Sequence, residues 1–293
     1  MIRATQLTRR FDRVVAVDGL DLEIPKGEVF GLVGPDGAGK TTTLRLLTGL
    51  LDPDKGEAEV AGFRVAEKPD EVRDRIGYMA QKFGLYGDLT VEENMDFYAD
   101  LFGVESADLE PLKQKLLAMT RMAPFRARPA GKLSGGMKQK LALMCTLLHK
   151  PEILLLDEPT NGVDPVSRRD FWVILEELVA GGMTLLVTTA YLDEAERCHR
   201  VGLMHNGRMI RIGTPTALKA QVPGVCYEVT EADLRALRRT LAARPEVHSV
   251  KPAGAALHVF LAEGAPIPDV GGRWERIQPT LEDVFVSVIG GVS

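Results

Sequence analysis

The chain has 293 residues, 45% of them hydrophobic and 26% charged, which is the composition of an ordinary globular protein with one large or two modest domains. Its formal net charge of −5 argues against a nucleic-acid-binding protein, which usually carries a basic surplus. The three cysteines have no metal-ligand spacing and favour reduced thiols in a cytosolic protein.

Membrane-spanning and secreted proteins are also disfavoured. No apolar run approaches the ~18 residues that a spanning helix needs. The first residues lack the apolar segment of a signal peptide. If the protein serves a membrane, we expect it to do so as a peripheral protein on the cytoplasmic face, through a partner.

The first 33 residues alternate strand-like runs with turns. We expect strands at Ala4–Arg9, Val14–Val17, Leu20–Ile24 and Val29–Val33. Phe11 is a lone aromatic residue among them. Either it belongs to the core, or its ring offers a face for an adenine, worth ~0.5–1.5 kcal/mol by analogy with aromatic pairs.

A glycine-rich loop follows the fourth strand and precedes a helix-like run, which fits the phosphate-binding pattern G-x-x-x-x-G-K-[ST]. In such a loop, backbone N–H groups and the start of the helix face the phosphates. Lys40 is placed to reach the β- and γ-phosphates, and the Thr41 hydroxyl to bind Mg²⁺. Asp36 occupies a free position of the pattern. The nucleotide-binding residues predicted here are Gly34, Pro35, Asp36, Gly37, Ala38, Gly39, Lys40, Thr41 and Thr42.

A further strand is predicted at Arg75–Gln81, and it ends on a glutamine. A glutamine at the end of a strand, after a phosphate loop, is a candidate sensor of the γ-phosphate and of Mg²⁺. The loop Lys82–Leu89 comes next, and its apolar residues are expected to be exposed. They are Phe83, Leu85 and Tyr86.

Two helical segments follow this loop. Thr90 and Glu93 have the spacing of a capping box and predict a helix through Phe102. Residues 106–128 are also predicted to be helical, and they carry no recognisable chemistry.

A second cluster of small residues predicts another helix start. Ser134 is expected to cap a helix that begins at Gly135 and continues through Leu148. With Gly136, these residues form a second site where an anion meets a helix N-terminus. Taken alone, the cluster is more simply a capped helix start.

A third cluster places two carboxylates at the end of a buried strand. Ile153–Leu156 is an apolar run typical of a parallel strand, and α/β sheets bind ligands at the carboxyl ends of such strands. Asp157 suits the coordination of Mg²⁺, and Glu158 suits the polarisation of an attacking water. After it, Asp164 is predicted to cap a helix with Pro165 at its first position.

In this order, the clusters resemble the nucleotide-binding subunit of an ATP-binding cassette (ABC) transporter. The resemblance covers roughly residues 3–220, and the combination of motifs is specific. The motifs are Walker A at 34–41, the Q-loop at Gln81, the signature motif at Leu133–Met137, Walker B at Ile153–Glu158, the D-loop at Gly162–Asp164 and the adenine-stacking A-loop at Phe11.

The resemblance implies an α/β fold, a P-loop NTPase with a RecA-like core, an antiparallel β subdomain and a helical signature subdomain. It implies ATP and Mg²⁺ as cofactors, with Lys40, Gln81 and Glu158 in catalysis. Thr41, Gln81 and Asp157 would bind the metal. Two cassettes would pair head to tail, so that each ATP lies between Walker A of one and Ser134, Gly135 and Gly136 of the other. The loop after Gln81 would contact a transmembrane partner.

One position departs from the family pattern. Where the family has a histidine that contacts the γ-phosphate, this chain has Ala190. His199 is too far along the chain to be expected to substitute. Loss of one hydrogen bond in the transition state costs ~2.7–4 kcal/mol, or 10²–10³ in rate. Either the site is slow and a partner cassette does most of the hydrolysis, or Glu158 alone suffices.

Residues 221–293 are predicted to form a small α+β extension after a cassette at 1–220. Strands are expected at Val225–Thr230, Val247–Lys251 and Ala256–Leu261, with a helix at Glu231–Ala243. A last helix is predicted from Thr280.

This tail resembles that of ATPases serving ABC-2-type drug and polyketide exporters, closest to the first half of the tandem-cassette members. The resemblance implies ATP-driven export of a drug-like or lipophilic substrate through a separate membrane subunit, with a second cassette from a homodimer, heterodimer or tandem partner. The alternatives are a soluble ABC ATPase outside transport, or a nucleotide-binding regulatory module.

Overall fold

The computed structural model describes residues 1–82 and 84–290, without the side chains of the last two. Phe83, predicted to contact a partner, lies outside the described residues. The chain forms two compact units, one from Met1 to Arg211 and one that begins at Ile212. The predicted assignment of a cassette to 1–220 and an extension to 221–293 stays a prediction. Within the described part of the chain, no helix has the length and apolar character needed to cross a membrane.

Strands and helices alternate along most of the chain. The strands are β1 Ile2–Phe11, β2 Val14–Ile24, β3 Val29–Val33, β4 Lys55–Val60, β5 Phe63–Arg64, β6 Ile76–Met79, β7 Ile153–Asp157, β8 Thr184–Thr189, β9 Arg200–His205, β10 Arg208–Gly213, β11 Val225–Thr230, β12 Val247–Ala253, β13 Ala256–Leu261 and β14 Arg273–Ile277. The helices are α1 Lys40–Leu47, α2 Pro69–Arg73, α3 Val91–Leu101, α4 Ser106–Met119, α5 Gly135–Leu147, α6 Pro165–Ala180, α7 Leu192–Ala195, α8 Pro215–Lys219, α9 Leu234–Ala242 and α10 Leu281–Gly290.

A six-stranded sheet in the order β10-β9-β3-β8-β7-β6 forms the centre of the first unit. The neighbours from β9 to β6 pair in parallel. β3, β7 and β8 are buried along their whole length, which explains their continuous apolar runs. Because parallel strands end at the same edge, the segments that follow β3, β6, β7 and β8 meet there.

A second sheet, β2-β1-β4-β5, is antiparallel and shares one core with α1 and the central sheet. Leu7 and Leu20 of this sheet pack in the same cluster as Leu44 of α1 and Leu155 of β7. These two sheets match the predicted RecA-like core and antiparallel β subdomain. The sequence predicts two short strands where β2 is one long strand, because the register of β1 and β2 shifts at bulges that break the local pattern.

Hydrogen bonds fix the helical region that follows. The capping box is confirmed, because the Thr90 N–H donates to Glu93 Oε2 at 2.7 Å and the Glu93 N–H donates to Thr90 Oγ1 at 3.1 Å. The buried Asn94 side chain donates to the carbonyls of Tyr86, Leu89 and Thr90 and accepts from the Tyr86 N–H. One side chain thus orders the end of the loop before α3.

Several predicted boundaries need correction. The strand predicted through Gln81 ends at Met79, so the glutamine lies in the loop beyond β6. The helix predicted to start at Glu231 starts at Leu234, because Asp233 caps it. The sequence analysis did not predict β9, β10 and β14.

The second unit contains an antiparallel sheet in the order β12-β13-β11-β14. Its predicted β-α-β-β succession is present as β11, α9, β12 and β13. Val229, Leu237 and Val259 form part of a core between the sheet and α9. α10 packs on α8.

An ion-pair network between α3 and the segment after α4 predicts acid sensitivity. Hydrogen bonds from Arg126, together with those from Lys113, lower the pKa of Glu92 to about 2. A carboxyl whose folded pKa is depressed stabilises the fold above its unfolded pKa, and this contribution is lost as the pH falls toward 2. We therefore expect Glu92→Gln to lower the free energy of unfolding by about 1 kcal/mol at pH 7, allowing for the partial exposure of Glu92, and by less at pH 3.5.

Urea unfolding at the two pH values measures this difference. Glu177→Gln, at an exposed position of α6, is the control and should change little at either pH. An equal cost of Glu92→Gln at both pH values would contradict the assignment.

Candidate functional site

The glycine loop between β3 and α1 is pressed against its neighbours so closely that two glycines are required. A Cβ on Gly34 would lie 2.2 Å from the carbonyl oxygen of Met204, and a Cβ on Gly39 would lie 2.2 Å from that of Ala16. Gly39 also has a φ of 106°, which favours glycine. The loop leads directly into the amino end of α1, where backbone N–H groups can bind an anion.

Lys40 is buried inside this loop. Its ammonium donates hydrogen bonds to the carbonyls of Gly34 at 2.8 Å and Pro35 at 3.1 Å, and it lies 3.0 Å from Glu158 Oε1. Lys40 is 4% exposed and Glu158 9% exposed, so the ion pair is shielded from water. The ammonium is thereby held at the inner side of the loop, close to the carboxyl end of β7.

Asp157 ends β7 and contacts two hydroxyls. Its Oδ1 accepts from Thr41 Oγ1 at 3.0 Å and from Thr188 Oγ1 at 2.8 Å. Burial raises the pKa of the Asp157 carboxyl, while the two hydroxyls oppose this shift. A carboxylate beside a hydroxyl is the oxygen ligand set that Mg²⁺ prefers, so Asp157 and Thr41 fit this ion.

Glu158 receives polar contacts from several directions. Gln81 Nε2 donates to its Oε2 at 3.0 Å and Asn161 Nδ2 donates to the same oxygen at 3.2 Å, while Lys40 faces the other oxygen. The Glu158 N–H donates to Thr188 Oγ1 at 2.9 Å. Glu158 has a φ of 48°, unusual for a residue with a side chain, and such backbone strain concentrates at functional sites.

The structure thus brings together five of the predicted residues: Lys40, Thr41, Gln81, Asp157 and Glu158. The remaining loop residues run from the end of β3 into the first turn of α1. They are Gly34, Pro35, Asp36, Gly37, Ala38, Gly39 and Thr42. The carboxylate of Asp36 is exposed. The roles of all these residues in binding and catalysis stay predictions.

Phe11 ends β1, and its side chain is 41% exposed. The Arg9 guanidinium carbon lies 5.1 Å from the centroid of its ring. The exposure rules out the core alternative and leaves the ring available for stacking. Whether an adenine uses it stays a prediction.

The signature residues lie at the start of α5. Ser134 caps the helix by accepting from the Met137 N–H at 3.4 Å, and it is exposed together with Gly135. A Cβ on Gly136 would lie 2.5 Å from that of Ser167, so α5 approaches α6 too closely for a larger residue. In the described part of the chain, these residues take no part in the contacts of Lys40, Asp157 and Glu158.

The sequence analysis missed Thr188 and Asn161, which contact the two carboxylates. It also missed the buried Glu194, which accepts from the hydroxyls of Thr160 and Thr189, the latter at 2.7 Å. The only signal for Thr188 was a polar residue near the end of an apolar strand. Its partner on β7 could not be read without the register of the sheet.

Ala190 follows β8 and is exposed. His199 does not replace the missing histidine, because its Nδ1 accepts from the Val29 N–H at 2.9 Å, at the amino end of β3. That is the end opposite to the glycine loop, roughly 17 Å away for a five-residue strand. The expectation that His199 is no substitute is confirmed.

The chain matches known proteins along most of its length. A model of the family "ABC transporter" matches residues 17–161. The probable multidrug ABC transporter ATP-binding protein YbhF of Escherichia coli strain K12 is 45% identical over 94% of this chain and 49% of its own length. The chain therefore spans about half the length of this curated relative.

Other relatives match over nearly their full length. The Nod factor export ATP-binding protein I of Burkholderia pseudomallei strain 1710b is 37% identical over 97% of this chain and 95% of its own. A solved ATP-binding subunit of an ABC transporter superimposes with a TM-score of 0.68 at 30% identity, covering 75% of this chain and 92% of its own. The resemblance predicted from the motifs is confirmed.

Thr188 provides a test of the site's internal geometry. Thr188→Val keeps the shape of the side chain but leaves a buried oxygen of Asp157 and the Glu158 N–H without this partner. Asp157 Oδ1 keeps Thr41 Oγ1 and the Glu158 N–H keeps the Thr188 carbonyl at 3.1 Å, so neither group is left unsatisfied. We expect the free energy of unfolding to fall by about 1.5–3 kcal/mol, the net contribution of a hydrogen bond to a charged group. Thermal and urea unfolding measure it.

Thr146→Val is the matched control, because that buried hydroxyl donates only to the Ala142 carbonyl within its own helix at 2.8 Å. It should cost less than Thr188→Val. Equal losses of unfolding free energy would mean that the contacts of Thr188 with Asp157 and Glu158 stabilise the fold no more than a hydrogen bond within one helix does.

Proposed function

Because this chain belongs to the ABC transporter family, we propose that it binds ATP with Mg²⁺ and hydrolyses the nucleotide to ADP and phosphate. The observation that carries the proposal is the convergence of Lys40, Asp157 and Glu158 on one glycine loop. A glycine turn alone binds anions. The same turn beside two buried carboxylates has the groups for a metal-assisted hydrolysis.

Each residue has a distinct task in this proposal. The loop N–H groups and the Lys40 ammonium hold the β- and γ-phosphates. Thr41 and Asp157, with Gln81, would hold Mg²⁺, which would supply positive charge to neutralise the phosphates. Glu158 accepts a proton from the attacking water, and the Gln81 and Asn161 amides hold its carboxylate in place.

We further propose that the working unit contains two cassettes. Ser134 and Gly135 are exposed at the N-terminus of α5, where the first N–H groups have no backbone partner within the helix, as a site that receives the nucleotide of a second cassette requires. Phe11 is exposed and available to the adenine. Since the chain spans about half the length of YbhF, we propose that its partner is a second copy or a different cassette.

A transmembrane subunit of the ABC-2 type is the proposed partner at the membrane, which places the chain peripherally on the cytoplasmic face. Exposed aromatic rings next to the loop after β6 support this. Tyr86 and Phe97 meet edge to face with centroids 4.6 Å apart. The Tyr98 ring, 5.4 Å from Phe97 and 6.2 Å from Phe102, connects them to the exposed Phe102 at the C-cap of α3. Contiguous exposed apolar surface of this kind marks an interaction site.

The names of the relatives, multidrug transport and Nod factor export, favour export of a drug-like or lipophilic compound. One observation favours a different function, a nucleotide-binding regulatory module. The Ala190 side chain has no group that can donate a hydrogen bond to the γ-phosphate, which would slow turnover. The buried, multiply contacted Glu158 favours hydrolysis.

Steady-state ATP hydrolysis by the purified chain tests the function. We expect Glu158→Gln to lower the rate by about 10²–10⁴-fold, the contribution of a general base, while ATP binding is retained. Ala190→His should raise the rate severalfold, because it restores a donor. A chain that binds ATP but shows no turnover, and gains none with Ala190→His, would favour the regulatory module.

Pairing of cassettes gives a separate prediction. In the Glu158→Gln chain, ATP should produce a dimer that is visible by size-exclusion chromatography with light scattering. Adding Ser134→Glu should abolish the dimer by placing a negative charge against the phosphates, whereas nucleotide binding by the single chain stays unchanged. Retention of the ATP-dependent dimer would contradict the role of Ser134.

A further inference from the structure

In the second unit, three side chains of metal-ligating types lie close together although they are far apart in the sequence. Cys226 of β11, His258 of β13 and Asp283 of α10 each offer a ligand atom, and these atoms lie within 4.8 Å of one another. All three residues are buried. The cluster has no part in the nucleotide site proposed above, and nothing in that proposal explains it.

The register of the sheet adds a fourth group. Glu228 and His258 stand directly opposite each other on β11 and β13. Cys226 is two residues before Glu228, so its side chain lies on the same face. Glu228 Oε2 is 3.9 Å from His258 Nε2, and Glu228 is the only partly exposed member of this set, at 44%.

Hydrogen bonds fix the tautomer of His258. Asp283 Oδ2 accepts from the N–H and the hydroxyl of Thr280, each at 2.9 Å. An oxygen that accepts from a backbone N–H is an acceptor, so His258 Nδ1, also 2.9 Å from it, donates. In the neutral imidazole that binds metals, the lone pair is then on Nε2, the nitrogen near Glu228. A carboxylate that fixes a histidine in this way is the common second shell of metal sites.

We propose that Cys226, His258 and Glu228 bind a thiophilic divalent cation of the zinc class, with Asp283 orienting His258 from the second shell. A thiolate, an imidazole and a carboxylate form a typical zinc ligand set, and a water completes the tetrahedron. Mg²⁺ and Ca²⁺ fit poorly, because they prefer oxygen ligands.

The charges around the cluster suit a dication. The thiolate and the carboxylates of Glu228 and Asp283 together balance a divalent ion and one ammonium. That ammonium is present, because Lys251 Nζ donates to the Asp283 carbonyl at 2.6 Å. Lys251 stands opposite His258 on β12, on the other side from Glu228.

A capping role accounts for part of the cluster. The Asp283 N–H donates to Thr280 Oγ1 at 3.2 Å, which completes a capping box at the start of α10. This explains Asp283 without a metal. It does not explain why Cys226 and Glu228 converge on the imidazole, and the two readings make different predictions for metal binding.

The test uses the full chain without a histidine tag, stripped with a chelator, and Co²⁺ alone as the probe. We expect one equivalent of Co²⁺ to bind with a thiolate-to-metal charge-transfer absorption, and Zn²⁺ to displace it. Cys226→Ala should abolish this absorption. Cys145→Ala and Cys198→Ala, which remove the other buried free thiols, should keep it. Absence of the absorption from the native chain, its survival in Cys226→Ala, or equal loss in Cys198→Ala would overturn the site.

Two milder variants protect the test against misfolding. Glu228→Gln changes a partly exposed side chain and should weaken Co²⁺ binding with unchanged melting of the metal-free chain. Asp283→Asn keeps a capping oxygen and should weaken binding roughly 10–100-fold, the usual effect of a second-shell change. Native Co²⁺ affinity in both variants would overturn the proposal, and the capping box would then be the whole role of Asp283.

Discussion

The candidate site depends on a lysine and a glutamate held together away from water. Opposite charges attract strongly in a buried setting, but each has lost its hydration, so such a pair needs further hydrogen bonds to be stable. The carbonyls of Gly34 and Pro35 supply them to Lys40, and the amide of Gln81 helps to supply them to Glu158. The tight glycine loop therefore holds the lysine in place, and in the proposed function it also binds the phosphates.

The parallel sheet makes this arrangement possible. Four strands, β3, β6, β7 and β8, end at one edge of the sheet. Each contributes to the site its last residues or residues of the segment that follows it. Since the strands are buried, their ends are the first places where polar side chains can reach solvent or a ligand. This is why an apolar run that ends in Asp157 and Glu158 carries so much information.

Patterns within one segment were predictable, and partners across the sheet were not. The glycine loop, the capping box at Thr90 and the cap at Asp164 follow from residue types a few positions apart. Thr188 contacts Asp157 because β8 lies beside β7 in one register, which no local pattern encodes. The proximity of Cys226 to His258 could not be predicted from the cysteine spacing for the same reason, since the pairing of β11 with β13 brings the two residues together. β14 escaped prediction because its pattern is polar and short.

At the end of β8, the residues that hold the site in place are distinct from residue 190, the position expected to contact the γ-phosphate. Thr188 Oγ1 donates to the Asp157 carboxylate and accepts from the Glu158 N–H, and Thr189 donates to the buried Glu194. These polar contacts of the strand end all lie before residue 190. The exposed Ala190 carries none of them. A change at this position therefore removes a donor toward the nucleotide without loosening Asp157 or Glu158. In the proposed function, we therefore expect a cassette with alanine here to keep the geometry for binding nucleotide and for pairing, and to lose only the stabilisation of charge that develops during hydrolysis.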